Sequence, residues 1–273
     1  MNILPTKARV FSRLRFQIVS IVTSSVVERS HPYKLQFSSH SESRVARVLK
    51  GRQMKIFDKD ISGAIFDLDG TLLDSSWVWL KVDADFLAEN GIEVTADYTE
   101  AVHQMHFNEA ALYTKTRYSL EQSVEQIKDR WIEMVKLEYA RNIRLKDGAY
   151  AFISKLLNSG VKVAFATTLF KKVAIPCLVN NKLSKEFLGV ECPLTTADEV
   201  ERGKGFPDIY LLAASKIGVS PKRCMVFEDI PLAMQGAQKG GFEFCGVYDV
   251  SSNGNSNFAD MCRYYIKSFE ELL

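Results

Sequence analysis

Two carboxylates, Asp67 and Asp69, stand two residues apart directly after a short apolar run, Gly63–Phe66. An apolar run without polar alternation is typical of a central parallel strand that is covered on both faces. Gly70 and Thr71 then interrupt the strand, so both aspartates fall at its carboxyl end, where open α/β sheets bind ligands. One carboxylate in such a place can attack a substrate while the other carries a proton, which is the division of labour that covalent group transfer needs.

Three further segments offer polar groups at comparable points: two hydroxyls after a strand, a lysine ahead of a helix, and two adjacent acids after another strand. These residues are Thr167 and Thr168, Lys204, and Glu228 and Asp229. A carboxylate that attacks a phosphate dianion needs cationic help, which a divalent metal ion and a lysine can supply. Carboxylate oxygens are hard ligands suited to Mg²⁺, and Asp67 and Asp229 would present them from neighbouring strands.

The four segments resemble, in the same order, the signatures of the haloacid dehalogenase-like superfamily, and the resemblance runs from about Met54 to the C-terminus. It implies that Asp67 is the nucleophile and forms an aspartyl-phosphate. It also implies that Asp69 protonates the leaving group and then activates water, and that Thr167 and Lys204 contact the phosphoryl oxygens. Thr168, next to Thr167, is a further candidate contact to the substrate.

The same resemblance implies a Mg²⁺ site. Asp229 would ligate the ion beside the nucleophile Asp67, and Asp69 would bind it through the backbone carbonyl. Glu228 matches a position that varies in the family between a direct ligand, a water-mediated ligand and a supporting group, so its role stays open.

Strands and helices alternate along the chain, which predicts a Rossmann-like parallel sheet with helices on both faces. We expect residues 54–76 and 145–273 to form this α/β core and residues 77–144 to form an inserted small helical cap domain. Within the insertion, a capping box at Ser119–Gln122 predicts the start of a long helix. In the core, we expect Pro176 in the first turn of a helix.

Residues 1–53 carry ten Lys or Arg and two Glu, a net charge of +8 that leaves −6 for the remainder. We interpret this stretch as a poorly ordered or non-native extension, with the true start at Met54, because Met54 leads directly into the first strand. A transit peptide, which has this composition, and a basic arm for nucleic acid are the alternatives.

Five cysteines without a Cys-x-x-Cys spacing indicate reduced thiols in an intracellular protein, and we expect a cytoplasmic location, or an organellar one if residues 1–53 are a transit peptide. No apolar run reaches membrane-spanning length, and the folded part is acidic. We therefore expect neither a membrane nor a nucleic-acid partner, and a monomer or weak dimer.

Asp69 separates the reactions that the family performs, because dehalogenases lack an acid at this position. Sugar-phosphate mutases of this type carry a histidine where Trp79 stands, and an arginine in the stretch that corresponds to Met105–Glu109. These features favour a phosphatase. A mutase resembling β-phosphoglucomutase and a catalytically silent, phosphate-binding homologue remain the alternatives.

Selectivity should come from cap groups that close over the leaving group and exclude water. The candidates are Trp79, His106, Phe107 and Asn108. They are aromatic, imidazole and amide groups without an arginine for a second anion, so we expect a small, neutral or polyol-like phosphomonoester, such as a sugar phosphate.

Overall fold

The computed structural model describes residues 54–103, 105, 107–189, 191–254 and 257–273. Residues 1–53 lie outside this range, and so do the predictions made for them. The described chain begins with an antiparallel hairpin of β1, Met54–Ile56, and β2, Lys59–Ile61. The ring of Phe57, between these strands, stacks on Tyr264 close to the other end of the chain, with the ring centroids 4.6 Å apart.

Eight more strands follow the hairpin. They are β3 (Gly63–Phe66), β4 (Leu73–Asp74), β5 (Arg144–Leu145), β6 (Lys162–Thr167), β7 (Leu194–Thr196), β8 (Cys224–Glu228), β9 (Glu243–Val247) and β10 (Tyr264–Ile266). Six of them form one parallel sheet in the order β10-β9-β8-β3-β6-β7, and β4 pairs with β5 separately. The predicted parallel Rossmann-like sheet is therefore confirmed, with β3 near its centre.

Ten α-helices lie among the described residues. They are α1 (Val78–Glu89), α2 (Ala96–His103), α3 (Phe107–Tyr118), α4 (Val124–Arg141), α5 (Ala149–Asn158), α6 (Lys171–Asn180), α7 (Lys185–Leu188), α8 (Asp208–Lys216), α9 (Pro231–Lys239) and α10 (Phe258–Met261). No helix in the described part of the chain is both long and apolar enough to span a membrane. The five cysteines are free thiols.

Successive side chains of a strand point to opposite faces of the sheet, and a hydrophobic cluster covers each face. Phe66 of β3 belongs to one hydrophobic cluster, and the adjacent Ile65 belongs to the cluster on the opposite face. On the first face Phe66 stacks on Phe227 with the ring centroids 4.7 Å apart, and Phe152 of α5 meets Phe66 edge-on. These contacts pack β3, β8 and α5 together on this face of the sheet.

Helices α1 to α4 lie between β4 and β5, which pair through Leu73 with Leu145 and Asp74 with Arg144. The chain thus leaves the sheet region and returns to it at one place. Trp131 of α4 is buried and packs on Phe86 of α1 and Phe107 of α3, with ring centroids 5.7 Å apart in both pairs. The helices share a hydrophobic centre, but the division into core and cap domains stays a prediction.

Two local predictions were wrong. The capping box that starts α4 is formed by Ser123 and Gln126, because Ser119 takes a left-handed conformation (φ 51°) just after the end of α3. Pro176 lies inside α6 and not in its first turn. A proline there removes one helix hydrogen bond, but the buried face of α6 around Cys177 and Leu178 holds the helix in place.

Candidate active site

The polar residues predicted to act together converge at the carboxyl ends of the strands. Asp67 directly follows β3, and its backbone N–H donates to the carbonyl of Phe227 on β8 (3.0 Å). Glu228 is the last residue of β8, and Asp229 follows it. One carboxylate oxygen from each of Asp67, Glu228 and Asp229 lies within 4.8 Å of the other two, and all three residues are buried. Parallel pairing of β3 with β8 brings these acids together.

Lys204 supplies a positive charge to this cluster from the loop between β7 and α8. Its ammonium group lies 2.5 Å from Asp67 Oδ1 and 2.5 Å from Glu228 Oε1. Burial alone would lower the pKa of Lys204, but the two carboxylates raise it above its ordinary value, so the side chain stays charged. A point charge beside Asp67 would also attract the oxygens of an anionic group such as a phosphate.

The cluster keeps an excess of negative charge that one lysine does not balance. Burial and the charge of Asp67 raise the pKa of Glu228 and of Asp229. Asp229 Oδ2 is buried and has no hydrogen-bond partner among the described residues, whereas Oδ1 accepts a hydrogen bond from the Thr71 hydroxyl (2.8 Å). An unpaired carboxylate oxygen beside two more acids is a donor set that fits a hard divalent cation such as Mg²⁺.

The loop after β3 must pass close to Asp229, and this requires Gly70. Its φ of +76° lies in the left-handed region, and a Cβ there would come within 2.6 Å of Asp229 Oδ2. Lys146 also holds this loop, because its ammonium group donates to the Gly70 carbonyl (2.5 Å) and pairs with Asp249 (3.1 Å). Asn253 in turn donates to the carbonyl of Asp229 (2.8 Å). Both acidic segments of the cluster are thus anchored by polar contacts.

Asp69 is buried on the side of the loop that faces the helical insertion. Its Oδ1 accepts hydrogen bonds from the Ser75 hydroxyl (2.8 Å) and from the Tyr139 hydroxyl (2.5 Å). Burial raises the pKa of Asp69 to about 6, although both hydroxyls act in the opposite direction. A carboxyl group with such a pKa can give up a proton and take one back near neutral pH, as a general acid and base must.

Thr167 ends β6 next to β3, so the strand pairing carries it to the same edge of the sheet. Its hydroxyl oxygen accepts a hydrogen bond from the N–H of Leu169 (3.1 Å), which leaves the hydroxyl proton available to donate. Thr168, the next residue, is partly exposed. The geometry is compatible with the phosphate contacts expected of both residues, which stay predictions.

Of the residues predicted to select the substrate, Trp79, Phe107 and Asn108 are described, and they differ in burial. The Phe107 ring is 5% exposed and packs on Trp79 and Trp131, within the hydrophobic centre of the insertion. Asn108, the next residue, is exposed. His106 lies outside the described residues, and the specificity role of the whole group stays a prediction.

Sequence reasoning missed several residues that hold the acids in place, chiefly Thr71, Ser75, Tyr139 and Tyr210. The Tyr210 hydroxyl donates to Glu228 Oε1 (3.1 Å) from α8. Thr71 could have been predicted, because it belongs to the segment that carries Asp67. Tyr139 gave only a weak signal, a hydroxyl among the apolar positions of α4.

Fold and site together define a hydrolase family. The family model for haloacid dehalogenase-like hydrolases matches residues 64–247, and the chain belongs to this family. The matched stretch begins in β3 and ends with β9, and it includes every residue of the cluster described above. The predictions of the family and of a hydrolase are thereby confirmed.

The chain is also similar to individual proteins of this family. The chain is 32% identical over 152 residues to a haloacid dehalogenase-like hydrolase domain-containing protein of Arabidopsis thaliana, a match that spans 53% of this chain and only 46% of that protein. It is 28% identical over 206 residues to hexitol phosphatase A of Escherichia coli, covering 73% of this chain and 88% of the relative.

A solved structure shares the fold. The crystal structure of CbbY from Rhodobacter sphaeroides in complex with phosphate superposes with a TM-score of 0.59 at 22% sequence identity. The alignment covers 78% of this chain and 96% of CbbY. Since nearly all of CbbY is covered, the two proteins share the overall fold.

Proposed function

We propose that this chain is a Mg²⁺-dependent phosphatase that hydrolyses a small phosphomonoester through an aspartyl-phosphate on Asp67. The observation that carries the proposal is the buried cluster in which Asp67 meets Lys204, Glu228 and Asp229, with Asp69 two residues further along the same loop. A nucleophile, a fixed positive charge, a set of metal-binding oxygens and an acid with a raised pKa are the parts that phosphoryl transfer to a carboxylate needs.

Each protein group has a defined part in this mechanism. A carboxylate oxygen of Asp67 attacks the phosphorus, and Lys204 and Thr167 hold the phosphoryl oxygens while the charge shifts. Asp69 gives its proton to the departing oxygen of the ester and then takes a proton from the water that attacks the aspartyl-phosphate. Asp67, Asp229 and the backbone carbonyl of Asp69 would hold Mg²⁺, with Glu228 as a ligand or a support. When bound, the ion offsets negative charge on the nucleophile and the phosphoryl group.

The substrate is proposed to be a neutral, polyol-like phosphate ester, such as a sugar phosphate. Hexitol phosphatase A, a relative whose match covers 73% of this chain, supports a polyol ester. The charge around the site supports a monoester as well. Among the described ion pairs, Lys204 is the one lysine in contact with Asp67, so the cluster offers a single side-chain cation to a phosphoryl group. We further propose that residues 77–144 act as a cap over this site.

The decisive experiment measures phosphate release and the covalent intermediate together. The full chain with Mg²⁺ should hydrolyse p-nitrophenyl phosphate, and acid-quenched protein should gain the mass of one phosphoryl group on the peptide that contains Asp67. Chelation of the metal should abolish both signals. Metal-replete protein that releases no phosphate above a blank would refute the proposal.

A panel of phosphorylated metabolites then tests the substrate class. Hexitol and sugar monophosphates should be hydrolysed with higher kcat/KM than bisphosphates or phosphorylated acids, because the latter bring a second anion to a site rich in carboxylates. A clear preference for a bisphosphate or for a phosphorylated acid would contradict this part of the proposal.

A further inference from the structure

The Asp69 carboxylate is held by two hydroxyls that come from opposite ends of the helical insertion. Ser75 lies just after β4, where the chain leaves for the insertion, and Tyr139 lies near the end of α4, where the chain returns. Both donate to the same oxygen, Oδ1, at 2.8 Å and 2.5 Å. Among the described residues, these are the hydrogen bonds of the Asp69 side chain, so Oδ2 is left without a donor.

The two bonds determine which oxygen of Asp69 can carry a proton. A carboxyl oxygen that accepts two hydrogen bonds has both lone-pair directions engaged, so a proton is held more favourably on the other oxygen. We propose that Tyr139 is a positioning residue that fixes the Asp69 side chain with Oδ1 engaged and Oδ2 as the atom that gives and takes the proton. The inference rests on the proposed phosphatase mechanism and adds to it a residue that no motif contains.

The surroundings of Tyr139 argue that the hydroxyl has this task and is not incidental to packing. The side chain is 4% exposed, and burial raises the pKa of its phenol well above the ordinary value, so it stays a donor. A buried hydroxyl costs free energy unless it is hydrogen-bonded, and phenylalanine would fill the same space without that cost. A bond to a carboxylate is of the stronger, charge-assisted kind, which can hold one rotamer of Asp69.

Helix α4, which carries Tyr139, is held by packing at two places. Trp131 anchors its middle in the centre of the insertion, and the helix also packs on α6. The Tyr139 hydroxyl is therefore delivered from a rigid helix, whereas Asp69 lies on a loop. Positioning by Tyr139 makes the orientation of the acid depend on how the insertion sits on the core.

The proton transfers balance in both halves of the reaction. In the first, a bond forms between an Asp67 oxygen and phosphorus while the bond from phosphorus to the leaving oxygen breaks, and that oxygen takes the proton from Asp69 Oδ2. In the second, water bonds to phosphorus and gives a proton to Oδ2, while the bond between phosphorus and Asp67 breaks and its electron pair returns to the carboxylate. Oδ1 keeps its two hydrogen bonds throughout.

The test compares Tyr139→Phe with the unmodified full chain on a series of substituted phenyl phosphates, from 2,4-dinitrophenyl phosphate to phenyl phosphate, with Mg²⁺ present. An acid matters most for the ester with the most basic leaving group. The quantity compared is therefore the slope of log kcat/KM against the pKa of the leaving group. For phenyl phosphate we expect Tyr139→Phe to lower kcat/KM by more than tenfold, within the roughly 10²- to 10⁴-fold that general acid–base catalysis contributes in total. For 2,4-dinitrophenyl phosphate we expect a loss of less than about threefold, because this leaving group departs without a proton.

Tyr98→Phe is the matched control, since Tyr98 is a buried tyrosine of the insertion whose hydroxyl bonds Thr114 (2.8 Å) and not Asp69. It should leave the dependence on leaving group unchanged. A partly unfolded Tyr139→Phe protein would lower kcat/KM equally for every ester, so the slope reports on Asp69 even if the variant loses stability. Ser75→Ala should steepen the slope in the same sense, since it removes the other donor to Oδ1.

Equal slopes for Tyr139→Phe and the unmodified chain would overturn the inference and leave the phosphatase proposal intact. An unmodified chain that hydrolyses none of the esters would overturn both. A steeper line for Tyr139→Phe, with Tyr98→Phe unchanged, establishes Tyr139 as the residue that positions the acid.

Discussion

The edge of the sheet and the helical insertion build their polar surfaces in different ways. At the edge, Asp67, Lys204, Glu228 and Asp229 are far apart in the chain, and yet they are buried within contact of one another. In the insertion, neighbours such as Phe107 and Asn108 differ completely, one buried in the hydrophobic centre and the other exposed. Backbone pairing determines the geometry of the first region, and side-chain packing determines that of the second. Chemistry should therefore be sensitive to single atoms at the edge, and recognition should be spread over the insertion.

The largest effect expected at the edge follows from Asp67→Asn. An amide has a similar shape but is a poor nucleophile, so we expect turnover of aryl phosphates to fall by on the order of 10⁴-fold or more, as removal of other enzymic nucleophiles does. The fold should persist because Lys204 keeps Glu228 as a partner. Initial rates and a thermal melt check both points. A variant with a tenth of the original activity would show that Asp67 is not the nucleophile.

Asp69→Asn should follow, with a loss of about 10²- to 10⁴-fold in kcat, the usual share of general acid–base catalysis. The asparagine amide can still accept the hydrogen bonds from Ser75 and Tyr139, so the loop should keep its conformation. Steady-state kinetics should place the loss in kcat more than in KM. If kcat and KM both matched those of the unmodified chain, the proton-transfer role would be wrong.

Metal binding gives a smaller effect, expressed in stability. Mg²⁺ at about 100 times its Kd should stabilise the folded chain by about 2.7 kcal/mol, since it binds the folded state alone. Differential scanning calorimetry with Mg²⁺ and with a chelator measures the shift in Tm. Asp229→Asn should reduce the shift, because it removes the unpartnered carboxylate oxygen, and Lys81, whose partners Asp85 and Glu138 lie outside the cluster, offers a neutral control as Lys81→Gln. An equal shift in Asp229→Asn would place the ion elsewhere.

The insertion should respond in the opposite manner, with loss of stability and little loss of chemistry. Phe107→Ala removes a ring that contacts Trp79 and Trp131 and should cost about 3–5 kcal/mol of unfolding free energy. Its kcat on p-nitrophenyl phosphate per folded molecule should change by less than about threefold, because the cluster at the sheet edge is untouched. Denaturant unfolding and active-site titration separate the two quantities.

Asn108→Ala is the exposed counterpart of that change. It should leave stability within about 0.5 kcal/mol and, if Asn108 contacts the leaving group, alter the ranking among sugar phosphates. An unchanged ranking together with unchanged stability would remove Asn108 from the specificity residues and would sharpen the contrast between edge and insertion.

The same contrast explains which features the sequence could predict. Asp67, Thr167 and Asp229 each follow an apolar strand, and parallel strands carry their carboxyl ends to one edge whatever the rest of the chain does. The fold and the acidic cluster therefore follow from local patterns. Lys204 does not follow a strand, and it was a candidate because of its place ahead of a helix and because the family resemblance implies that it contacts the phosphoryl oxygens.

The contacts of Tyr139 and Phe107 could not be predicted in this way. Both are aromatic residues on amphipathic helices, and the pattern of such a helix indicates a buried face without indicating what that face meets. Tyr139 meets a carboxylate and Phe107 meets two indoles, a difference that depends on how α3 and α4 cross. Pro176 illustrates the same limit, because tertiary packing around α6 outweighs the local preference of proline for a first turn.

The short ladder between β4 and β5 has a consequence for how the two regions can vary. Leu73 and Asp74 are paired with Leu145 and Arg144, so the two ends of the insertion are held together by backbone hydrogen bonds that do not involve its helices. To the rest of the chain, everything between them is a closed loop, and the entropy of closing a loop rises only by about 0.6 kcal/mol for each doubling of its length. The length of the insertion can thus change at little thermodynamic cost to the sheet, and new substrates can be acquired over the same reaction centre wherever a donor to Asp69 is kept at the place of Tyr139.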